Sequence, residues 1–66
     1  MILFAQRLRS RRKEMRFTQL EMAEKLNVDR TTYCKYESGQ VSPSFESLCR
    51  IADVLHCSLD WLFGRE

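Results

Sequence analysis

Arg30, Thr31 and Lys35 lie within the segment RTTYCKYE, and their types define a chemistry of recognition rather than of bond making. A guanidinium offers two parallel N–H donors. A threonine hydroxyl donates or accepts and sits beside a methyl group, and a lysine ammonium is a point charge with rotatable donors. At about 100° per residue, a helix places Arg30, Thr31, Cys34 and Lys35 on one side and Thr32, Tyr33 and Tyr36 on the other. The tyrosine side belongs to a core. The other side is too polar to be buried, and it holds Arg30 and Thr31 in the first turn, beside the positive end of the helix dipole, which suits an anionic ligand. Cys34 shares that side but forms only weak hydrogen bonds, so it is read as a bystander.

Other chemistries find no support. One histidine, no nucleophile and base at useful spacing, and a length of 66 residues leave too little to enclose a substrate cleft, so no enzyme is expected. Cys34, Cys49 and Cys57 are odd in number and lack CxxC spacing, and the adjacent His56 and Cys57 cannot both point inward on a helix, so neither metal nor other cofactor is expected. No apolar run approaches the roughly 20 residues of a membrane span, and the residues after Met1 lack the charged leader and apolar segment of an export signal. A reduced, cytoplasmic chain with no membrane partner follows as the expectation.

The elements that must hold the cationic side are helical throughout. Leu3 to about Met15 carries Phe4, Leu8 and Met15 at helical spacing; Arg11 projects within that stripe and Arg12 at its edge, so both need partners elsewhere. Thr18 with Glu21 is a capping box that starts a second helix, whose apolar arc is Leu20, Met22, Ala23 and Leu26. Ala23, the small residue of that arc, lets another helix cross closely. Asn27 suits the left-handed end of this helix, Val28 plugs the turn, and Asp29 caps a third helix from Arg30 to about Glu37. Gly39 and Ser44 bracket a loop before a fourth helix, Phe45 to about Leu55, with Phe45, Leu48, Cys49, Ile51, Ala52 and Leu55 inward. His56 is placed on the surface near its end. Ser58 caps a short fifth helix with Leu59 and Leu62 inward. Val54, Trp61 and Phe63 then form an exposed apolar patch, the mark of a protein partner. Periodicity supports no strand, and residues 1–66 read as one domain.

Charge is uneven along this chain. Residues 1–16 carry six basic groups against one acidic, and residues 17–66 carry five against eight. The basic N-terminal segment favours a polyanionic partner.

Two short helices joined by a tight turn over residues 18–37 form a helix-turn-helix unit, in which the second helix enters the DNA major groove. With FAQRLRSRRKEMRFTQ before it, Ala23 and Val28 inside it, and Tyr36-Glu37-Ser38-Gly39, Pro43-Ser44, Leu48, Ile51-Ala52 and SLDWLF after it, the sequence closely resembles the Cro and phage-repressor family, the xenobiotic-response-element type of helix-turn-helix protein. The resemblance implies an all-α, five-helix, lambda-repressor-like DNA-binding domain, a two-fold homodimer formed through its C-terminal part, and an inverted-repeat operator in double-stranded DNA. It assigns base reading to Arg30, Thr31 and Lys35, with Thr32 and Asp29 as lesser candidates. It assigns backbone phosphates to Gln19, Ser38, Gln40 and Ser42, and pairs Arg12 with Glu37. Arg12 itself and the Tyr33 hydroxyl are further phosphate candidates, and Val54, Trp61 and Phe63 are the candidate dimer contact. Asn27 and Arg16 stand where the family commonly has Gly, Arg11 where it often has Leu, and Tyr33 replaces an aliphatic residue.

Base-reading chemistry also follows from the side chains themselves. Arg30 can hold guanine O6 and N7 together, Thr31 can meet a thymine methyl, and Lys35 reaches guanine or a phosphate. The expected function is a sequence-specific transcriptional regulator, a dimeric repressor of prokaryotic or phage type. Two rivals are an antitoxin, whose apolar patch would mask a toxin or meet another protein such as an antirepressor, and a purely protein-binding helical module.

Overall fold

The structure is a computed structural model that describes residues 2–65. Five helices follow in order: α1 Ile2–Glu14, α2 Gln19–Leu26, α3 Arg30–Ser38, α4 Phe45–Leu55 and α5 Leu59–Leu62. No strand occurs among the described residues. The chain starts each of the last four helices with a side-chain cap. Thr18, Asp29, Ser44 and Ser58 accept from the amides of Glu21, Thr32, Ser47 and Trp61. At Thr18 the box is complete, because the Glu21 carboxylate takes the Thr18 amide at 2.8 Å. Thr18→Ala should therefore lower unfolding stability by about 1 kcal/mol; a urea midpoint that does not move would show the cap to be energetically idle.

The helix ends share one device. After α1, α2, α3 and α4, a left-handed residue, Arg16, Asn27, Gly39 or His56, directs its amide back into the last turn. The residue that follows bonds five positions back: Phe17 to Arg12, Val28 to Ala23, Gln40 to Lys35 and Cys57 to Ala52. These are Schellman turns, which satisfy carbonyls that a helix end leaves unpaired. Glycine fills the left-handed position at Gly39 and, after α5, at Gly64. At Arg16 (φ 62°), Asn27 (φ 59°) and His56 (φ 52°) a side chain is carried in a conformation that Asn tolerates best. Asn27 and Gly39 are left-handed as expected, Arg16 holds a position where the family commonly has Gly, and His56 gave no such signal.

α1 packs on α3 and α5, α2 on α3 and α4, and α4 on α5. Their shared core is Phe4, Leu8, Met22, Ala23, Leu26, Tyr33, Tyr36, Ile51, Leu55 and Leu62. Of the side chains expected inward, Leu48 and Leu59 are half-buried against this core, Cys49 and Ala52 are half-buried, and two are exposed. Leu20 is 52% exposed and Phe45 75% exposed. On their helices they stand about 120° from Leu26 and Ile51 respectively, too far round for the core to reach. The expected patch is also corrected, since Val54, Trp61 and Phe63 are half-buried. The Phe63 ring stacks on Phe4 with centroids 5.0 Å apart. Trp61 lies under the Arg7 guanidinium at 5.0 Å, and its carbonyl also accepts from Arg7. Two aromatic faces are thereby withdrawn from solvent, and the strongly exposed apolar side chains at this end are Ile2 and Leu3.

Arg11 finds backbone partners as well as a carboxylate. Its Nε donates to the Leu55 carbonyl at 2.8 Å and an Nη to Glu14 at 3.1 Å. A cation thus closes the carbonyl end of α4, where the helix dipole is negative.

Candidate nucleic-acid interface

α3 is held from behind by a buried polar cluster centred on Glu37. The Arg12 Nε donates to Glu37 Oε2 at 2.6 Å and Nη2 to Oε1 at 3.2 Å, while Nη1 takes the Phe17 carbonyl at 2.8 Å. The Tyr33 hydroxyl donates to Oε2 at 2.5 Å and the Gln19 amide to Oε1 at 3.2 Å. One carboxylate therefore gathers α1, α2 and two positions of α3. The Glu37 side chain is only 4% exposed and that of Arg12 9%, which is tolerable because each is paired and hydrogen-bonded.

Burial alone would raise the Glu37 carboxyl. The hydrogen bonds from Arg12, Tyr33 and Gln19, with the Arg12 charge, outweigh it and hold the group below the usual carboxylate range. Tyr33 moves upward, first through burial and then through its bond to Glu37. The Arg12 guanidinium is also raised, chiefly by its hydrogen bond to Glu37 and against desolvation.

The outward face of α3 carries Arg30, Thr31 and Lys35, all exposed, as the helix wheel requires. The secondary base-reading candidates are engaged locally. Asp29 Oδ1 takes the Thr32 amide at 2.6 Å, a bond that lowers the Asp29 carboxyl, and Thr32 is half-buried. Two phosphate candidates are corrected. Tyr33 is wholly buried with its hydroxyl on Glu37, and Arg12 is buried with its guanidinium occupied by Glu37 and Phe17. Both side chains are spent on internal partners, and Tyr33 has no exposed surface. Gln19 remains half-exposed; Ser38, Gln40 and Ser42 are exposed, the Ser38 hydroxyl donating to the Lys35 carbonyl at 3.2 Å.

An open cleft of about 590 Å³ joins the start of α2 to the start of α3, bordered by Arg9, Arg12, Thr18, Gln19, Leu20 and Arg30. A second depression runs past Arg9, Gln19, Cys34, Glu37 and Ser38. Arg9 borders both. From the sequence, Arg9 shares with Lys13 and Arg16 the side opposite the apolar stripe of the first helical segment, free to meet solvent or phosphate. The combined surface presents guanidinium, ammonium, amide and hydroxyl donors with its buried carboxylate already neutralised, so it is built for an anion with hydrogen-bond acceptors. Among the described residues no three His, Cys, Asp or Glu side chains cluster as metal ligands, and no helix is long and apolar enough to cross a membrane.

Comparison with known proteins bears on this arrangement. The cryptic phage CTXphi transcriptional repressor RstR of Vibrio cholerae is 45% identical over 60 residues, spanning 91% of this chain and 54% of that protein. The transcriptional regulator DicA of Escherichia coli is 33% identical over 66 residues, 98% of this chain and 49% of its own. The chain thus spans about half the length of the curated relatives it matches. The P22 c2 repressor, solved in complex with a synthetic operator, superposes with a TM-score of 0.88 at 25% identity over 96% of both chains. The helix-turn-helix family pattern matches residues 8–62, and the chain belongs to that family.

Proposed function

We propose that this chain is a sequence-specific double-stranded DNA-binding module of a cytoplasmic transcriptional repressor, with no catalytic role. The observation that carries the reading is the division of α3. Tyr33, Tyr36 and Glu37 lock one side into the fold, and Arg30, Thr31 and Lys35 are left exposed on the other. A helix fixed so firmly can read base edges, because direct readout needs donors held at defined positions in the major groove. Named relatives that are repressors, and a structural neighbour solved on operator DNA, support the same reading.

In this proposal Arg30 holds a guanine, Thr31 meets the neighbouring base, and Lys35 reaches a base or phosphate. Gln19, Ser38, Gln40 and Ser42 would fix the register on the backbone, and Arg9 joins them. Two copies would pair through the α4–α5 end and read half-sites roughly 34 Å apart. Selection of bound duplexes from a random pool tests it. Enriched duplexes should contain an inverted repeat. Arg30→Ala should cost about 1–3 kcal/mol at one base pair of each half-site and relax preference there, whereas Gln19→Ala weakens all sequences alike. An Arg30→Ala protein with unchanged base preference would remove the base-reading role.

A further inference from the structure

Gln19 and Cys34 join the first turn of α2 to the middle of α3. The Cys34 thiol donates to Gln19 Oε1 at 3.2 Å, and Gln19 Nε2 donates to Glu37 Oε1 at 3.2 Å. Chemistry decides which end of the amide faces which neighbour. Glu37 is an ionised acceptor, so the nitrogen must face it; the oxygen then faces Cys34, whose S–H can donate. With the amide plane fixed at both ends, one N–H of Nε2 is left without an assigned partner. Gln19 borders the depression of about 250 Å³ that Arg9, Cys34, Glu37 and Ser38 also line. The Glu37 charge there is matched by Arg12, so Arg9 leaves the depression with an excess positive charge.

We propose that Cys34 is a positioning residue, whose thiol holds the Gln19 amide so that its second Nε2–H is presented to one DNA backbone phosphate. The inference rests on the DNA-binding reading and deepens it. A thiol is a weak donor, yet it acts here on a side chain already anchored to Glu37, so it only has to suppress rotation about the end of the glutamine. Serine can replace it and alanine cannot.

Two measurements test the assignment on the folded chain, with the thermal midpoint of each variant recorded as a check on folding. The first needs no DNA. In the free protein the Gln19 side-chain amide protons should be shifted away from the values of a free glutamine amide, and they are identified by their loss in Gln19→Ala. Cys34→Ala should move them toward the values of a free amide, and Cys34→Ser should leave them in place. The second uses a selected duplex in which single phosphates are replaced by neutral methylphosphonates. One linkage per half-site should weaken wild-type binding about 10-fold, and Gln19→Ala should abolish that penalty. Cys34→Ala should bind about 3- to 10-fold more weakly and lose most of the same penalty, while Cys34→Ser stays within about twofold of wild type. The proposal is overturned if Cys34→Ala keeps both the full methylphosphonate penalty and the Gln19 resonances, or if Cys34→Ser behaves as alanine does. A wild-type protein that retards no duplex removes the DNA-binding reading itself, and the phosphate contact with it, whatever the amide resonances show.

Discussion

Glu37→Ala should lower the unfolding free energy by about 3–5 kcal/mol, enough to leave much of the population unfolded at 25 °C. The substitution deletes the acceptor of the Arg12 guanidinium, the Tyr33 hydroxyl and the Gln19 amide at once. A buried cation without its counter-charge and a buried phenol without its acceptor then survive, and it is these survivors that are costly. A domain of 66 residues has little stability in reserve. Urea unfolding followed by circular dichroism measures the loss. Arg12→Met combined with Glu37→Leu should be clearly more stable than the sum of the two single changes, since removing both charges leaves neither unpaired. Strict additivity in that cycle would refute the account of the cluster.

The same carboxylate sets the acid limit of the fold. Its folded pKa lies below the unfolded value of about 4.3, so as pH falls the unfolded chain takes up the proton first. The stabilisation is complete above that unfolded value and is lost as pH falls through the folded one. Glu21 and Asp29 are shifted the same way, each first by a hydrogen bond with a backbone amide, and they add to the acid loss. Tyr33 acts in the opposite sense. Its raised pKa gives stability that is present below about pH 10 and declines above it, where the unfolded tyrosine ionises and the buried one does not. Urea midpoints should therefore be level between about pH 5 and 9 and fall on both sides. Glu37→Gln should flatten the acid limb relative to its own plateau.

The sequence was most readable where one residue acts on its near neighbours. Thr18, Asp29, Ser44 and Ser58 each cap a helix by reaching an amide three residues on, a relation that spacing alone displays. The exposed side of α3 was legible for a similar reason, since a helix wheel needs no partner to divide Arg30 and Lys35 from Tyr33 and Tyr36. Contacts made through space were harder. The pairing of Arg12 with Glu37 came from the family resemblance, and the attachment of Tyr33 and Gln19 to the same carboxylate had no local signal. Burial was misjudged at Leu20 and Phe45, because the inward arc was drawn too wide and both stand about 120° round their helices from Leu26 and Ile51. Trp61 and Phe63 looked exposed for want of a place inside, until Arg7 and Phe4 supplied their covers. Arg11 was assigned an acidic partner, but carbonyls at the end of α4 hold it too, and backbone groups leave no trace in a side-chain pattern.

Raising salt from 50 to 200 mM should weaken operator binding by about 10²–10³ for each copy bound. Arg9, Lys13, Arg16, Arg30 and Lys35 are exposed on α1, α3 and the turn after α1, and they can neutralise about four to five phosphates per copy. Each neutralised phosphate releases about 0.9 of a counterion from B-DNA, so the logarithmic slope against salt should be about −4 to −5 for one copy. Two copies on an inverted repeat give about −7 to −9, so the slope also reports whether the unit that binds is a pair. Arg9→Gln should make the slope shallower by about 0.9 per copy without altering base preference, since a phosphate contact carries no sequence information. Arg30→Ala should alter preference while changing the slope little if its guanidinium is on a base. The two variants thus separate positioning from reading on one surface, and an affinity that does not change with salt would exclude DNA as the ligand of that surface.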